Sequence, residues 1–177
     1  ICGGDIADKA LLKEYEIFYN TMKNLDKPYL TVIGNHDYKS NGEIIYKQRF
    51  GDYNYSFEFN HYKFILFDDV VWESDKNPDF DWLSTQLIDN ALFKQVFVIA
   101  HIPPFTEQFD SDMEQTYTTL MQENNVQLSI HGDVHAYSFG KVYNDSVNYL
   151  TVPWCKKPTY CIINVHNKSF DIELIEL

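Results

Sequence analysis

The chain has 177 residues and carries 14 Lys and Arg against 26 Asp and Glu, a formal net charge of -12. That length suits one domain, residues 1–177, able to bury a core without disulfides or metal to hold it together. The charge excludes a groove for an extended nucleic-acid backbone, since few cations can replace phosphate counterions, and no apolar run approaches the roughly 18 residues of a membrane span.

From Ala7 to Leu25 the apolar residues Leu11, Tyr15, Phe18, Met22 and Leu25 keep the three-and-four spacing of an amphipathic helix, ended by Pro28. Tyr29 to Ile33 then reads as a strand, and it runs without a spacer into Gly34, Asn35, His36 and Asp37. A turn needs only Gly34 and Asn35, which tolerate positive φ; His36 and Asp37 add nothing a turn requires and mark a site edge. Glu43 to Phe50 predicts a short helix. The stretch YSFEFNHYKFILFDD predicts a hairpin turning at Asn60 and His61 and ending in Asp68 and Asp69.

Phe80 to Leu92 has helical spacing, and QVFVIA, residues 95–100, is a continuous apolar strand of the kind buried on both faces, running directly into His101. A helix over Ser111 to Asn124 leads to the strand VQLSI, residues 126–130, and then to His131, Gly132, Asp133 and His135. Short strands follow over Ser138 to Tyr143, Val147 to Val152, Thr159 to Val165 and Ser169 to Glu176. The order is βα units first and antiparallel strands last, with no repeats and no low-complexity linker. For Cys2, Cys155 and Cys161, which form no CxxC pattern, a Cys155–Cys161 bridge and reduced core thiols are both compatible with the sequence.

In α/β sheets ligands gather beyond the carboxyl ends of the strands. Asp5 follows the opening apolar residues, Asn35 and His36 follow YLTVI, His101 follows VFVIA, and Asp133 and His135 follow QLSI, so four strands deliver Asp, Asn and His to one rim. Carboxylate, amide oxygen and imidazole are ligands of borderline divalent metals such as Mn, Fe, Zn, Co or Ni. His36, His101, His131 and His135 are four of the six histidines and all stand at strand exits, whereas His61 and His166 read as structural. Asp68 and Asp69 read as loop residues. Tyr137 and Phe105 are equally compatible with a pocket wall and with packing, and Lys156–Lys157 is too short a basic patch for nucleic acid.

GGD (Gly3 to Asp5), GNHD (Gly34 to Asp37), HIPP (His101 to Pro104) and GDVH (Gly132 to His135), in this order, resemble the motifs of the calcineurin-like metallophosphoesterases. The resemblance covers nearly the whole chain and implies an α/β fold, a four-layer α-β-β-α sandwich with mixed sheets. It further implies two divalent metal ions, Mn, Fe, Zn or similar, acting on a small phosphoester substrate, a phosphomonoester or phosphodiester, by attack of metal-bridging hydroxide. Two cations about 3.5 to 4 Å apart clamp phosphate oxygens and lower the pKa of a bridging water. By the same resemblance Asp5 bridges the metals, Asn35 and His101 hold the second metal, and His135 holds the first. His36 faces the substrate and Asp37 orients its ring.

The chain departs from the family pattern twice. The family's D-x-H motif is absent, so the resemblance implies a chain truncated at its N-terminus and a sheet lacking its first strand. GDVH stands where the family has G-H-x-H, placing Asp133 at a histidine ligand position; a carboxylate there adds negative charge and makes the cation a poorer Lewis acid. In extended chain His131, Asp133 and His135 share a face, so His131 is the alternative to Asp133 as ligand. A metal-dependent phosphoesterase is the first reading. A degenerate member of the fold, with a weakened metal site and a binding or scaffold role, is the second, and a structural mononuclear site is the third.

Overall fold

The computed structural model describes residues 1–177. Its central element is a six-stranded mixed sheet of β1 (Tyr55–Phe59), β2 (Tyr62–Leu66), β3 (Gln95–Ile99), β4 (Leu128–His131), β5 (Ser138–Gly140) and β6 (Asn148–Thr151), in the spatial order β1-β2-β3-β4-β6-β5. β2, β3, β4 and β6 pair in parallel, with Leu66 beside Ile99, Ile99 beside Ile130 and His131 beside Thr151. Their carboxyl ends therefore share one edge. β7 (Thr159–Val165) and β8 (Phe170–Glu176) form a separate antiparallel pair.

Alternation along the buried strands sorts their side chains between two cores. Ile65, Val96, Val98 and Tyr149 join Leu83 and Leu87 of α3 (Phe80–Leu87), Tyr117 and Met121 of α4 (Ser111–Glu123), Tyr15 of α1 (Leu12–Met22) and Tyr46 of α2 (Gly42–Phe50). Their neighbours Leu66, Phe97, Ile99, Leu128, Ile130 and Leu150 pack against Cys161, Ile163 and Val165 of β7 and Phe170 and Ile172 of β8. The second sheet is thus stacked on the first, in the α/β arrangement with mixed sheets that the sequence implied.

Local chemistry fixes the element ends. Asn60 (φ 50) and His61 (φ 67) are both left-handed, the twist a two-residue hairpin turn needs, and the turn falls where expected. The Asp110 carboxylate caps α4 by accepting from the amides of Asp112 and Met113. Helix α1 is shorter than its apolar spacing predicts, beginning at Leu12. Glu14 reaches back to accept from the amides of Lys9 and Leu11, and Ala10 is left-handed at φ 55, so the preceding residues form a loop. The predicted helix over Phe80 to Leu92 ends at Leu87, with a 3-10 turn at Asn90–Leu92.

The largest difference concerns Tyr29 to Ile33. Only Thr31 pairs as a strand residue, in a single parallel bridge to Cys2, with the amide of Cys2 donating to Leu30 and that of Val32 donating to Cys2. Pairing stops there because Gly4 (φ 100) and Asp5 (φ 55) turn the first segment away. All three cysteines are free.

Candidate metal centre

The shared edge of the parallel strands gathers the residues singled out from the sequence. At its centre is His101, just beyond β3, with a side chain only 2% exposed. Its Nδ1 lies 2.6 Å from the carbonyl oxygen of Gly3, an atom that only accepts, so Nδ1 carries a proton. The opposite nitrogen, Nε2, faces three oxygens: Asn35 Oδ1 at 3.2 Å, Asp5 Oδ1 at 3.4 Å and Asp133 Oδ1 at 3.8 Å. In the neutral ring, that places one nitrogen and three oxygen lone pairs around a common space with no hydrogen between them. A divalent cation satisfies such a set. No three His, Cys, Asp or Glu side chains form a finished cage, and Asn35 supplies a fourth donor beside them.

The backbone brings these groups together at a conformational cost. Asp5 (φ 55), Asp133 (φ 57) and His135 (φ 57) are all left-handed non-glycine residues, a conformation that gathers at functional sites because only a surrounding framework sustains it. Glycines make the close approaches. A Cβ on Gly4 would sit 2.2 Å from Nδ1 of His101, and one on Gly34 would sit 2.2 Å from the Asp5 amide nitrogen and 2.3 Å from its Oδ1. Asp5 Oδ1 is further fixed by the amide of His36, which donates to it at 2.9 Å.

His36 and Asp37 differ in role from their expected pairing. The His36 ring places Nδ1 2.8 Å from the carbonyl oxygen and 3.1 Å from Oδ1 of Asp8, so Asp8, and not Asp37, orients it. Asp37 is fully buried and accepts from the amides of Ile6, Ala7 and Gly34 at 3.0 to 3.1 Å and from the Tyr15 hydroxyl at 3.1 Å. It ties the Asp5 loop to the Asn35 loop. Burial pushes its carboxyl up to about 6 against the pull of those amides.

Of the three residues expected after the fourth apolar strand, only Asp133 reaches the His101 cluster. Burial raises its carboxyl, a positive charge on His101 or His135 lowers it, and the negative charges of Asp5 and Glu73 raise it again. His131 does not point there. As the last residue of β4 it is fully buried, its Nε2 2.8 Å from Ser129 Oγ and its ring between Tyr117 and Tyr149, and desolvation pushes it down to about 3. The expectation that His131 can replace Asp133 assumed extended chain, and the left-handed turns at Asp133 and His135 break that alternation. His135 is exposed, and its ring stacks on Trp154 at 4.6 Å.

Two contributors were read differently from the sequence. Asp69, expected to be an ordinary loop residue, is fully buried, and its Oδ1 accepts from the amides of His101 and Ile102 at 3.0 and 2.9 Å, holding the loop that presents His101. Its neighbour Asp68 takes a hydrogen bond from the Tyr38 hydroxyl. Glu73 and Asp8 carry no periodicity or motif signal, although Asp8 shares the short loop of Asp5.

A stacked-sheet α/β fold with an Asp, Asn and His cluster at the strand ends defines a metallophosphatase-like architecture. The family model described as calcineurin-like phosphoesterase matches residues 1–137, and the chain belongs to that family. It is 37% identical over 114 residues to a probable glycerophosphodiester phosphodiesterase (GpdQ) of Arcobacter nitrofigilis, covering 57% of this chain and 40% of the relative. The chain thus spans less than half the length of that relative. In structure it is similar to the purple acid phosphatase PPD1 from yellow lupin seeds, with a TM-score of 0.64, 14% identity and coverage of 84% of this chain and 35% of that one. It is also similar to a dimetal phosphatase from Danio rerio, with a TM-score of 0.64, 11% identity and coverage of 80% and 65%.

Proposed function

We propose that the chain is a divalent-metal-dependent phosphoesterase acting on a small phosphodiester or phosphomonoester. The observation that carries the reading is the His101 ring. With Nδ1 committed to Gly3, Nε2 and the oxygens of Asp5, Asn35 and Asp133 are left facing one another as donors. These four residues would hold the second of two metal ions and Asp5 would reach the first, towards which His135 would turn from Trp154. Ions such as Mn, Fe or Zn supply charge neutralisation on the phosphate oxygens and lower the pKa of water.

The remaining work falls to the chain's own residues. His36 keeps one proton at Nδ1, held by Asp8, so in the protonated ring Nε2–H is the group that meets the phosphoryl or leaving-group oxygen. Asp37 keeps the loops of Asp5 and His36 in mutual register by accepting from the amides of Ile6, Ala7 and Gly34, and the Tyr15 hydroxyl of α1 donates a fourth hydrogen bond. The net charge of -12 supports small substrates over nucleic acid, and the Arcobacter nitrofigilis relative supports a phosphodiester.

The test counts Mn per chain by elemental mass spectrometry after incubation and removal of excess, then assays bis(4-nitrophenyl) phosphate and 4-nitrophenyl phosphate. Two ions and turnover that falls by about 10²-fold or more in His36→Ala with metal content kept are the expected results. No retained metal would overturn the reading and favour the second one, a binding or scaffold member of the fold, which draws on Asp133 standing where the family has histidine.

A further inference from the structure

A carboxamide offers a lone pair at one end and two N–H groups at the other, and a half-turn about its last bond exchanges them. Asn35 is useful to a cation only when Oδ1 faces His101. The ring itself does not enforce that orientation, because the neutral Nε2 lone pair would accept an N–H from the opposite rotamer equally well. Something outside the cluster must choose.

Glu73 makes the choice. Asn35 Nδ2 donates to Glu73 Oε1 at 2.8 Å while Oδ1 lies 3.2 Å from His101 Nε2. An ionised carboxylate only accepts, so the Nδ2 end must turn towards it and the oxygen must turn inwards. Glu73 is itself placed by a turn beyond β2 that is tied down at several points. The amide of Asp75 donates to Val71 at 3.0 Å, the Ser74 hydroxyl donates to Val70, Val70 is buried, and Lys76 pairs with Glu43 of α2 at 2.9 Å. The bond spans 38 residues of sequence and crosses between two loops.

We propose that Glu73 is the positioning residue that fixes the Asn35 amide with its oxygen towards His101 and so makes Asn35 a competent metal ligand. This role rests on the metal-site reading of the function for its consequence, but the orientation itself belongs to the metal-free chain. Glu73 acts through Asn35 and need not touch metal or substrate.

Two measurements on the whole chain test it. In isothermal titration with Zn(II), Glu73→Ala is expected to weaken the affinity about tenfold, the usual scale for residues that orient a ligand. Glu73→Gln, whose carboxamide can donate as well as accept and so no longer selects between the two Asn35 rotamers, is expected to lose most of the same affinity. In an Asn35→Ala background Glu73→Ala is expected to change nothing further. Losses that add to those of Asn35→Ala would assign the effect to charge and overturn the proposal, as would unchanged affinity in Glu73→Ala or wild-type affinity in Glu73→Gln. The second measurement uses NMR on the metal-free chain, where wild type is expected to show a nuclear Overhauser contact between the Asn35 side-chain amide protons and the γ protons of Glu73. Absence of that contact in wild type would also overturn the proposal. Should wild type take up no Zn(II) while the contact is present, the metal-site reading fails and the orienting role stands.

Discussion

The imidazole of His101 gives its Nδ1 proton to the carbonyl oxygen of Gly3 at 2.6 Å. One hydrogen bond therefore settles the tautomer of the central histidine and ties the first loop of the chain to the end of a central strand. Second partners of this kind fix ring orientation wherever imidazole ligates metal. Gly4→Ala tests the arrangement without removing any ligand, since its Cβ would lie 2.2 Å from Nδ1 on a backbone at φ +100. We expect Mn(II) affinity to fall at least about tenfold, as for other losses of orienting contacts, with most helical circular dichroism retained. Wild-type affinity in this variant would show that the ring's placement does not control the site.

Asp8 and Asp37 should separate cleanly into function and stability. Asp8 has a side chain 71% exposed and touches the His36 ring, so Asp8→Asn should lower kcat with little change in KM or urea midpoint. His36→Ala should lower kcat by about 10²-fold or more, the scale of a lost proton donor, while metal content holds. Asp37→Ala should instead leave the buried amides of Ile6, Ala7 and Gly34 without their acceptor and cost about 3 kcal/mol of stability. A large kcat loss in Asp37→Ala at unchanged stability would reverse the assignment.

The Asp37 carboxyl also has a pH signature in the metal-free chain. Its folded value, about 6 through burial, lies above the ordinary 3.8, so the folded state holds the proton more tightly. Its contribution to stability is fully present below 3.8 and is lost as pH rises through about 6. Asp37→Asn removes that slope, and urea midpoints measured at pH 4 and pH 7 (about the two ends of the window) against wild type read the difference.

His131 acts in the opposite direction. Desolvation lowers it from 6.5 to about 3, so the unfolded chain takes up a proton that the folded chain refuses, and stability is lost as pH falls from 6.5 towards 3. His131→Gln should lose less stability than wild type over that fall while binding the same number of Mn(II) ions. A lower metal count would return His131 to the ligand set.

Asp133→His should strengthen Zn(II) binding by about tenfold, since imidazole is a better-suited ligand for that ion than carboxylate. Histidine also tolerates the left-handed backbone at this position, φ 57, better than most residues. Calorimetry with Zn(II) measures it; an unchanged affinity would remove Asp133 from the ligand set.

Strand exits were legible in the sequence because they depend on a coarse property. An apolar run such as QVFVIA must be buried, parallel runs must end on one side, and polar residues that follow them must meet at one rim. The roles of individual side chains at the rim were not legible, because they depend on single torsions. Asp37 and Asp8 are both acids beside His36, and only the fold of the Asp5 loop decides which one meets the ring and which one meets backbone amides. His131 was placed on the wrong face because the left-handed turns that follow it carry no sequence mark stronger than Gly132. The strand expected at Tyr29 to Ile33 has strand composition but a partner that stays beside it for one residue only.

That single bridge at Cys2 and Thr31 has a thermodynamic consequence. The opening segment is joined to the framework by one strand pair, by the His101 ring and by the Asp37 carboxylate, and its Asp5 is also a donor at the cluster. A cation that ligates Asp5 together with His101 and Asn35 closes a cross-link between the chain's first residues and its central strands. Metal binding and docking of the opening segment are then one linked equilibrium. Each order of magnitude in free metal above the dissociation constant lowers the population of the detached segment about tenfold.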